Sequence, residues 1–312
     1  MPAKIIYGKE ISAQIRIELK ERVDRLKAQG VTPGLGVILV GEDPASISYV
    51  TAKAKGAEEI GIFEETIRLL PTSTEEEVLA AVDRLNRDPK FNGVLVQLPL
   101  PKWVNPDKII SFISVEKDVD GFHPVNVGRL STGTGGIIPC TPLGVLKLLD
   151  TVFDDLTGLD VVVIGKSNIV GKPIAMLMLE REATVTVTHI ETKDLPDICR
   201  KADVIIAAAG APELVKGYWV KPGAVIIDVG ITRIKNEDGT TRLVGDVAFD
   251  QVQHARAVTP VPGGVGPMTI SCLLANTVQA AREQIEGTSS DGFAIDWDDL
   301  PDRSMFTGEA NA

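Results

Sequence analysis

Tyr49 and Lys53 lie four residues apart in a helix-patterned segment, so a phenol and an amine project from one face. Taken alone, the pair fits an ordinary surface contact as well as a site. Gln97 closes an apolar strand-like run just before Pro99, and ligands of open α/β sheets gather at such strand ends. Lys117-Asp118-Val119-Asp120-Gly121-Phe122 is a polar loop whose second aspartate precedes a glycine, as a turn or a site would. Together these segments offer an amine, an amide, a phenol and a carboxylate to one cleft.

A second group of residues reads as an anion-binding turn. Val161-Val162-Val163-Ile164 runs into Gly165-Lys166-Ser167-Asn168-Ile169-Val170-Gly171-Lys172-Pro173, and a helix pattern and another strand follow. A glycine turn lets backbone approach a pyrophosphate, and the next helix aims its N–H groups at that charge. It is not a Walker A loop, which has four residues between its glycines and a hydroxyl after the lysine. Five residues separate Gly165 from Gly171, and Pro173 stands where the hydroxyl belongs. The dinucleotide fingerprint G-x-G-x-x-G is also broken, because Ser167 replaces its second glycine. A dinucleotide turn and a plain strand-to-helix turn both remain open. The second strand ends at His189-Ile190-Glu191, where a carboxylate would meet a ribose diol.

The elements that must hold these groups follow from hydrophobic period. Helices are expected over residues 9–29, about 46–59, 143–149 and 268–286, and strands over 35–40, 93–98, 161–164, 204–210 and 224–230. A capping box at Ser73 and Glu76 opens another helix, Ser131 to Gly136 is a loop or hinge, and residues 236–239 turn an exposed hairpin. Strands alternating with helices predict parallel, doubly covered sheets. At 312 residues the chain has length for two cores. Its net charge of −11, with no Lys/Arg block, argues against a nucleic-acid partner. No apolar run is long enough to cross a bilayer, and no signal-peptide core opens the chain. Three scattered cysteines fit a reducing cytoplasm, and three scattered histidines give no metal site.

Six motifs in register change the weight of these signals. They are Ser46-x-x-Tyr49-Val50-x-x-Lys53-x-Lys55, Gly93 to Pro101, Lys117 to Gly121, Pro139-Cys140-Thr141-Pro142, Gly165 to Pro173 and Pro260 to Thr269. From near residue 5 to near residue 285 the chain closely resembles the bifunctional methylenetetrahydrofolate dehydrogenase/methenyltetrahydrofolate cyclohydrolase family, the FolD proteins. The resemblance implies oxidation of 5,10-methylenetetrahydrofolate with NAD(P)+ and hydrolysis of the methenyl product to 10-formyltetrahydrofolate. By matched position, Lys53, Gln97, Tyr49 and Asp120 are the catalytic set. Tyr49, Ser46, Asp120, Pro262, Gly263 and Gly264 bind substrate, while Gly165, Lys166, Ser167, Ile190, Glu191, Ile231 and Thr141 contact the cofactor. Asp120 would accept two hydrogen bonds from the amino-pyrimidine edge of a pterin, and Tyr49 offers a flat face to its rings. Lys53, oriented by Gln97, would move the proton during hydration and ring opening.

Because Lys53 and Gln97 are both present, both activities are expected, against a monofunctional dehydrogenase as the alternative. Many NADP-using relatives carry a serine and then a basic residue after the histidine closing the second strand, whereas this chain has Ile190 and Glu191. NADP is the family's usual cofactor, and Glu191 argues for NAD. The implied architecture is α/β with two domains around a cleft. Residues 1–138 plus 268–286 form a folate-binding domain, residues 139–267 a Rossmann-like NAD(P)-binding domain, and residues 287–312 an acidic tail. A cytoplasmic homodimer serving purine biosynthesis is expected from the resemblance alone.

Overall fold

Runs of β-branched residues build two parallel sheets, each in its own compact unit. A computed structural model describes residues 2–236 and 238–286. The acidic tail expected over residues 287–312 lies outside them. The first unit takes residues 2–12 and Thr141–Thr269, and the second Ala13–Cys140 and 270–286. The strands are β1 (Lys4–Ile5), β2 (Gly34–Val40), β3 (Phe63–Leu69), β4 (Gly93–Val96), β5 (Asp160–Ile164), β6 (Thr184–Thr188), β7 (Val204–Ala207), β8 (Val225–Asp228), β9 (Thr232–Lys235), β10 (Thr241–Val244) and β11 (Ala257–Val258). The helices are α1 (Gly8–Ala28), α2 (Pro44–Ile60), α3 (Glu75–Arg87), α4 (Pro106–Phe112), α5 (Pro124–Thr132), α6 (Cys140–Asp150), α7 (Gly171–Glu180), α8 (Leu195–Cys199) and α9 (Val265–Glu286).

In the first unit the sheet order is β1-β11-β8-β7-β5-β6, parallel throughout. The chain steps from β5 to β6 on one side, then to β7 on the other. That reversal opens a crevice at the carboxyl ends of β5 and β7, where open α/β sheets bind ligands. Val162, Ile164, Ile205, Ile226 and Val258 are buried in one core on this sheet. The expected hairpin is β9 paired antiparallel with β10. The first residues, expected with the folate domain, include β1, which extends this sheet by pairing with β11. The two-residue strand Lys4-Ile5 gives no sequence cue to a partner more than 250 residues away.

The second unit has the sheet order β3-β2-β4, parallel, with its own reversal between β2 and β4. The apolar run of β2 is buried along its whole length, as a strand covered on both faces must be. Val78, Val82 and Leu85 on α3 pack with Ile38, Phe91, Val94 and Ile109 in the core. The capping box of α3 is one residue later than expected. Thr74 and Glu77 exchange side-chain and backbone bonds, Glu77 N–H to Thr74 Oγ1 at 3.2 Å and Thr74 N–H to Glu77 Oε2 at 2.8 Å. Ser73-x-x-Glu76 has the same spacing, but Ser73 is buried and its carbonyl accepts from Trp103 Nε1 at 3.0 Å. Residues 131–136, expected as loop or hinge, begin as the last turn of α5, closed by left-handed Gly133.

Candidate active site

Ser46, Tyr49 and Lys53 sit at helical spacing along α2. Asp43 caps that helix, its Oδ2 accepting the Ser46 N–H at 2.8 Å. Ser46 and Lys53 belong to the buried stripe of α2 with Val50, Gly56, Ala57 and Ile60. Gly56 lets the stripe approach Leu274 and Ile270 of α9 closely. Only 6% of Lys53 is exposed, so this charge is set into an apolar stripe rather than on the solvent side. That placement costs desolvation and calls for partners.

The partners come from two other elements. Lys53 Nζ donates to Gln97 Oε1 at 3.0 Å, and Gln97 Nε2 donates to the Leu98 carbonyl at 2.7 Å. The second bond fixes which end of the amide faces the lysine. Gln97 stands just past β4, at the reversal between β2 and β4. Asp120 is the third member. Burial pushes its carboxyl up to about 6, while the Lys53 charge and the Cys140 thiol pull the other way. Burial likewise pushes the half-buried Tyr49 phenol up, so its hydroxyl stays protonated near neutrality.

The other two polar residues of the Lys117–Asp120 loop are structural. Asp118 is 1% exposed and accepts the N–H groups of Gly121 at 3.1 Å, Phe122 at 3.3 Å and His123 at 2.8 Å, plus Asn126 Nδ2 at 2.9 Å. Lys117 Nζ caps the end of α3 through the carbonyls of Leu85, Asn86 and Asp88 at 3.2, 2.8 and 3.1 Å. Spacing alone did not separate Asp118 from Asp120; the turn that Asp118 nails down is what leaves Asp120 beside Lys53.

In the first unit, Gly165 follows β5 at the sheet's reversal point, with φ of 123°. A β-carbon on Gly165 would overlap the Ala208 carbonyl, and one on Gly171 would overlap the Gly165 carbonyl. Both glycines are therefore required by close backbone approach. Ser167 has a positive role in this turn: its Oγ accepts the N–H groups of Val170 at 3.2 Å and Gly171 at 3.3 Å, capping α7. Lys166 and Ser167 are exposed. Beyond β6, Ile190 is 95% exposed and Glu191 is exposed too, with its N–H donated to His189 Nδ1 at 3.3 Å. No ion pair of Glu191 with Lys166 or Lys193 occurs among the described residues.

Of the remaining expected contacts, Ile231 is exposed directly after Gly230. Thr141 and Thr269 hydroxyls bond at 3.0 Å. Pro262 is exposed, the Gly263 carbonyl accepts the Lys9 N–H at 3.1 Å, and Gly264 packs on Gly8. Two buried aspartates that the sequence reading passed over, Asp228 and Asp246, stand close to the Gly165 turn. Their only signal was a glycine within two residues, in Asp228-Val229-Gly230 and Gly245-Asp246.

A glycine turn at the reversal of a six-stranded parallel sheet, and a lysine–amide–carboxylate set at the strand ends of a second α/β unit, define a two-domain enzyme that uses a dinucleotide. Comparison with known proteins agrees. Residues 6–120 match the tetrahydrofolate dehydrogenase/cyclohydrolase catalytic domain, and residues 139–285 match the NAD(P)-binding domain of the same family. The chain is 69% identical over 253 residues to bifunctional protein FolD 2 of Rhizorhabdus wittichii, covering 81% of this chain and 85% of the relative. The bifunctional FolD structure from Campylobacter jejuni is 50% identical with a TM-score of 0.87, over 90% of this chain and 99% of that one. The Trypanosoma brucei enzyme, solved with NADP cofactor and inhibitor, is 39% identical with a TM-score of 0.88, over 92% and 100%. The chain belongs to the tetrahydrofolate dehydrogenase/cyclohydrolase family. It is a bifunctional enzyme, oxidoreductase and hydrolase, of folate one-carbon chemistry with an NAD(P)-binding domain; the monofunctional alternative is not supported. No described helix is long and apolar enough to cross a membrane.

Proposed function

We propose that Lys53, oriented by Gln97 and faced by the charge of Asp120, carries the proton of the cyclohydrolase step. The observation behind it is the buried Lys53 ammonium bonded to Gln97 at 3.0 Å. Water adds to the methenyl carbon and loses a proton; the bond from that carbon to one ring nitrogen then breaks. The lysine ammonium gives a proton to the departing nitrogen, and the amine so formed takes the hydroxyl proton, leaving 10-formyltetrahydrofolate and the one proton already released. The preceding oxidation sends a hydride from the methylene carbon to the nicotinamide, and needs alignment of the two carbons rather than a side-chain acid. Tyr49 offers its ring face to the folate, with Ser46 beside it on α2.

Asp120 fixes the pterin by accepting two hydrogen bonds, which needs the carboxylate form. With its carboxyl at about 6, protonation removes that form as pH falls. The expected result is a dehydrogenase kcat/KM for the folate that declines on the acid side with an apparent pKa near 6, while nucleotide binding stays flat. Asp120→Ala should weaken folate binding without weakening nucleotide binding in titrations. Persistence of the acid limb in that variant would assign it to another group.

The residues around Gly165 fit a dinucleotide: two glycines expose backbone, and the capped N-terminus of α7 favours negative charge. Lys166, Ser167, Thr141, Ile190 and Ile231 are the proposed contacts, with Pro262, Gly263 and Gly264 shaping the substrate side. The preference we assign is NAD, because Glu191 repels a 2′-phosphate and accepts from a ribose diol. Glu191 is solvated, so the repulsion is screened and modest. Glu191→Arg should therefore move the NADP/NAD ratio of kcat/KM toward NADP by only about three- to tenfold. An NADP preference of about tenfold or more in the unaltered enzyme sinks the assignment. The setting that the family resemblance supports is a cytoplasmic homodimer supplying 10-formyltetrahydrofolate to purine biosynthesis, and light scattering reads its mass.

A further inference from the structure

Neither reaction uses Asp228 or Asp246, yet both are buried and both act only on backbone. Asp228 Oδ1 accepts the N–H groups of Gly230 at 3.0 Å and Asp246 at 2.8 Å, and its Oδ2 accepts that of Val247 at 3.0 Å. Asp246 Oδ2 in turn accepts the N–H groups of Ala209 at 2.7 Å and Gly210 at 2.9 Å, just past β7. Asp246 Oδ1 is buried with no hydrogen-bond partner among the described residues. The carboxylates interlock with two glycines: a β-carbon on Gly230 would strike Asp246, and one on Gly245 would strike Asp228.

The clamped segment is the one that touches the nucleotide turn. The Ala208 carbonyl lies where a β-carbon of Gly165 would be, and the Gly165 carbonyl lies against Gly171 at the start of α7. An unbroken run of contacts therefore leads from Asp228 to Asp246, to Ala209 and Gly210, and through Ala208 to Gly165. On the other flank, Gly230 precedes Ile231. Burial raises both carboxyls, that of Asp228 to about 7, so the pair is held at a cost to folding. A turn that only had to be covered could have its N–H groups met by water or neutral acceptors. A rigid buried acceptor is the more exacting choice where backbone must be held to a fraction of an ångström.

We infer that Asp246, anchored by Asp228, is a positioning residue for the nucleotide, holding Ala209 and Gly210 against the Gly165 turn. The inference rests on assigning that turn to the nucleotide. Its requirement is for an acceptor at the Oδ2 position, so Asp246→Asn should keep most of the function that Asp246→Ala loses. Full-length Asp246→Ala is expected to raise the KM and the titrated Kd for NAD and NADP about tenfold, with kcat changed less than about threefold. Methenyl hydrolysis measured without nucleotide is expected to stay within about twofold, because its residues lie in the other unit. Asp246→Asn should restore the nucleotide KM to within about threefold of the parent.

Unchanged nucleotide KM in Asp246→Ala overturns the inference, as does an equal fall of both activities or a loss in Asp246→Asn as large as in Asp246→Ala. If Asp246→Ala does not fold, Asp246→Glu carries the test: its longer arm should displace the loop and raise the nucleotide KM, and an unaltered KM overturns the role. Ser167→Ala separates the two levels of argument. No change there removes the site assignment itself; a raised KM there with none in the Asp246 variants removes only the positioning role.

Discussion

Lys53→Met is expected to remove the cyclohydrolase activity, slowing methenyl hydrolysis by about 10²–10⁴-fold, the worth of a positioned proton carrier. Methionine keeps the unbranched stem that lies among Val50, Ala57 and Ile60, so α2 retains its packing and the fold should survive. Removing the charge also removes a buried desolvation cost, which offsets the lost bond to Gln97. Hydride transfer has no step assigned to a side-chain proton, so dehydrogenase turnover should fall far less. Decay of the methenyl chromophore, followed beside thermal melting and nucleotide reduction, reads all three. Unchanged hydrolysis in folded protein would take Lys53 out of its role and pass the proton to Tyr49 or to water.

Asp118→Ala carries the largest expected effect on stability. One carboxylate, itself 1% exposed, satisfies three backbone N–H groups and the Asn126 amide. Alanine leaves those donors unmatched, a loss of about 3 kcal/mol after allowing for the burial cost of the charge itself. For melting of its own unit, roughly 150 residues, that lowers the melting temperature by about 6–12 °C. The turn also sets the position of Asp120, so folate affinity should fall with stability. Asp120→Ala, two residues on, should cost affinity with little change in melting. If the two substitutions give the same pattern, the division of labour between the aspartates is wrong.

The Lys53 and Asp118 outcomes differ in how far the sequence alone foretold them. Lys53 was legible because four residues of helix put it on the face of Tyr49, and because the motif around it is long. Gln97 was legible from a strand that stops at a proline. The parallel sense of the sheets and the strands β2, β4, β5, β7 and β8 followed from apolar runs, since a strand buried on both faces must be apolar throughout, whereas β3, polar and partly exposed, gave no such run. The glycines at 165 and 171 announced a close backbone approach, and the motifs in register named the family.

What needed the folded chain was every choice between equivalent local candidates. Ser73 and Thr74 have the same capping spacing, and only the folded chain shows that Thr74 is the one that caps α3. Asp118 and Asp120 share one loop, and only the turn through Asn126 shows which is buried as a clamp. Ser167 broke a fingerprint in sequence and caps α7 in space. β1 joins β11, and Asp246 reaches Ala209, across stretches of chain that no local pattern spans. The physical reason is common to all of them. Period and spacing decide which face a residue takes within its own element, while burial and hydrogen-bond partners are set by neighbours brought in from elsewhere in the chain.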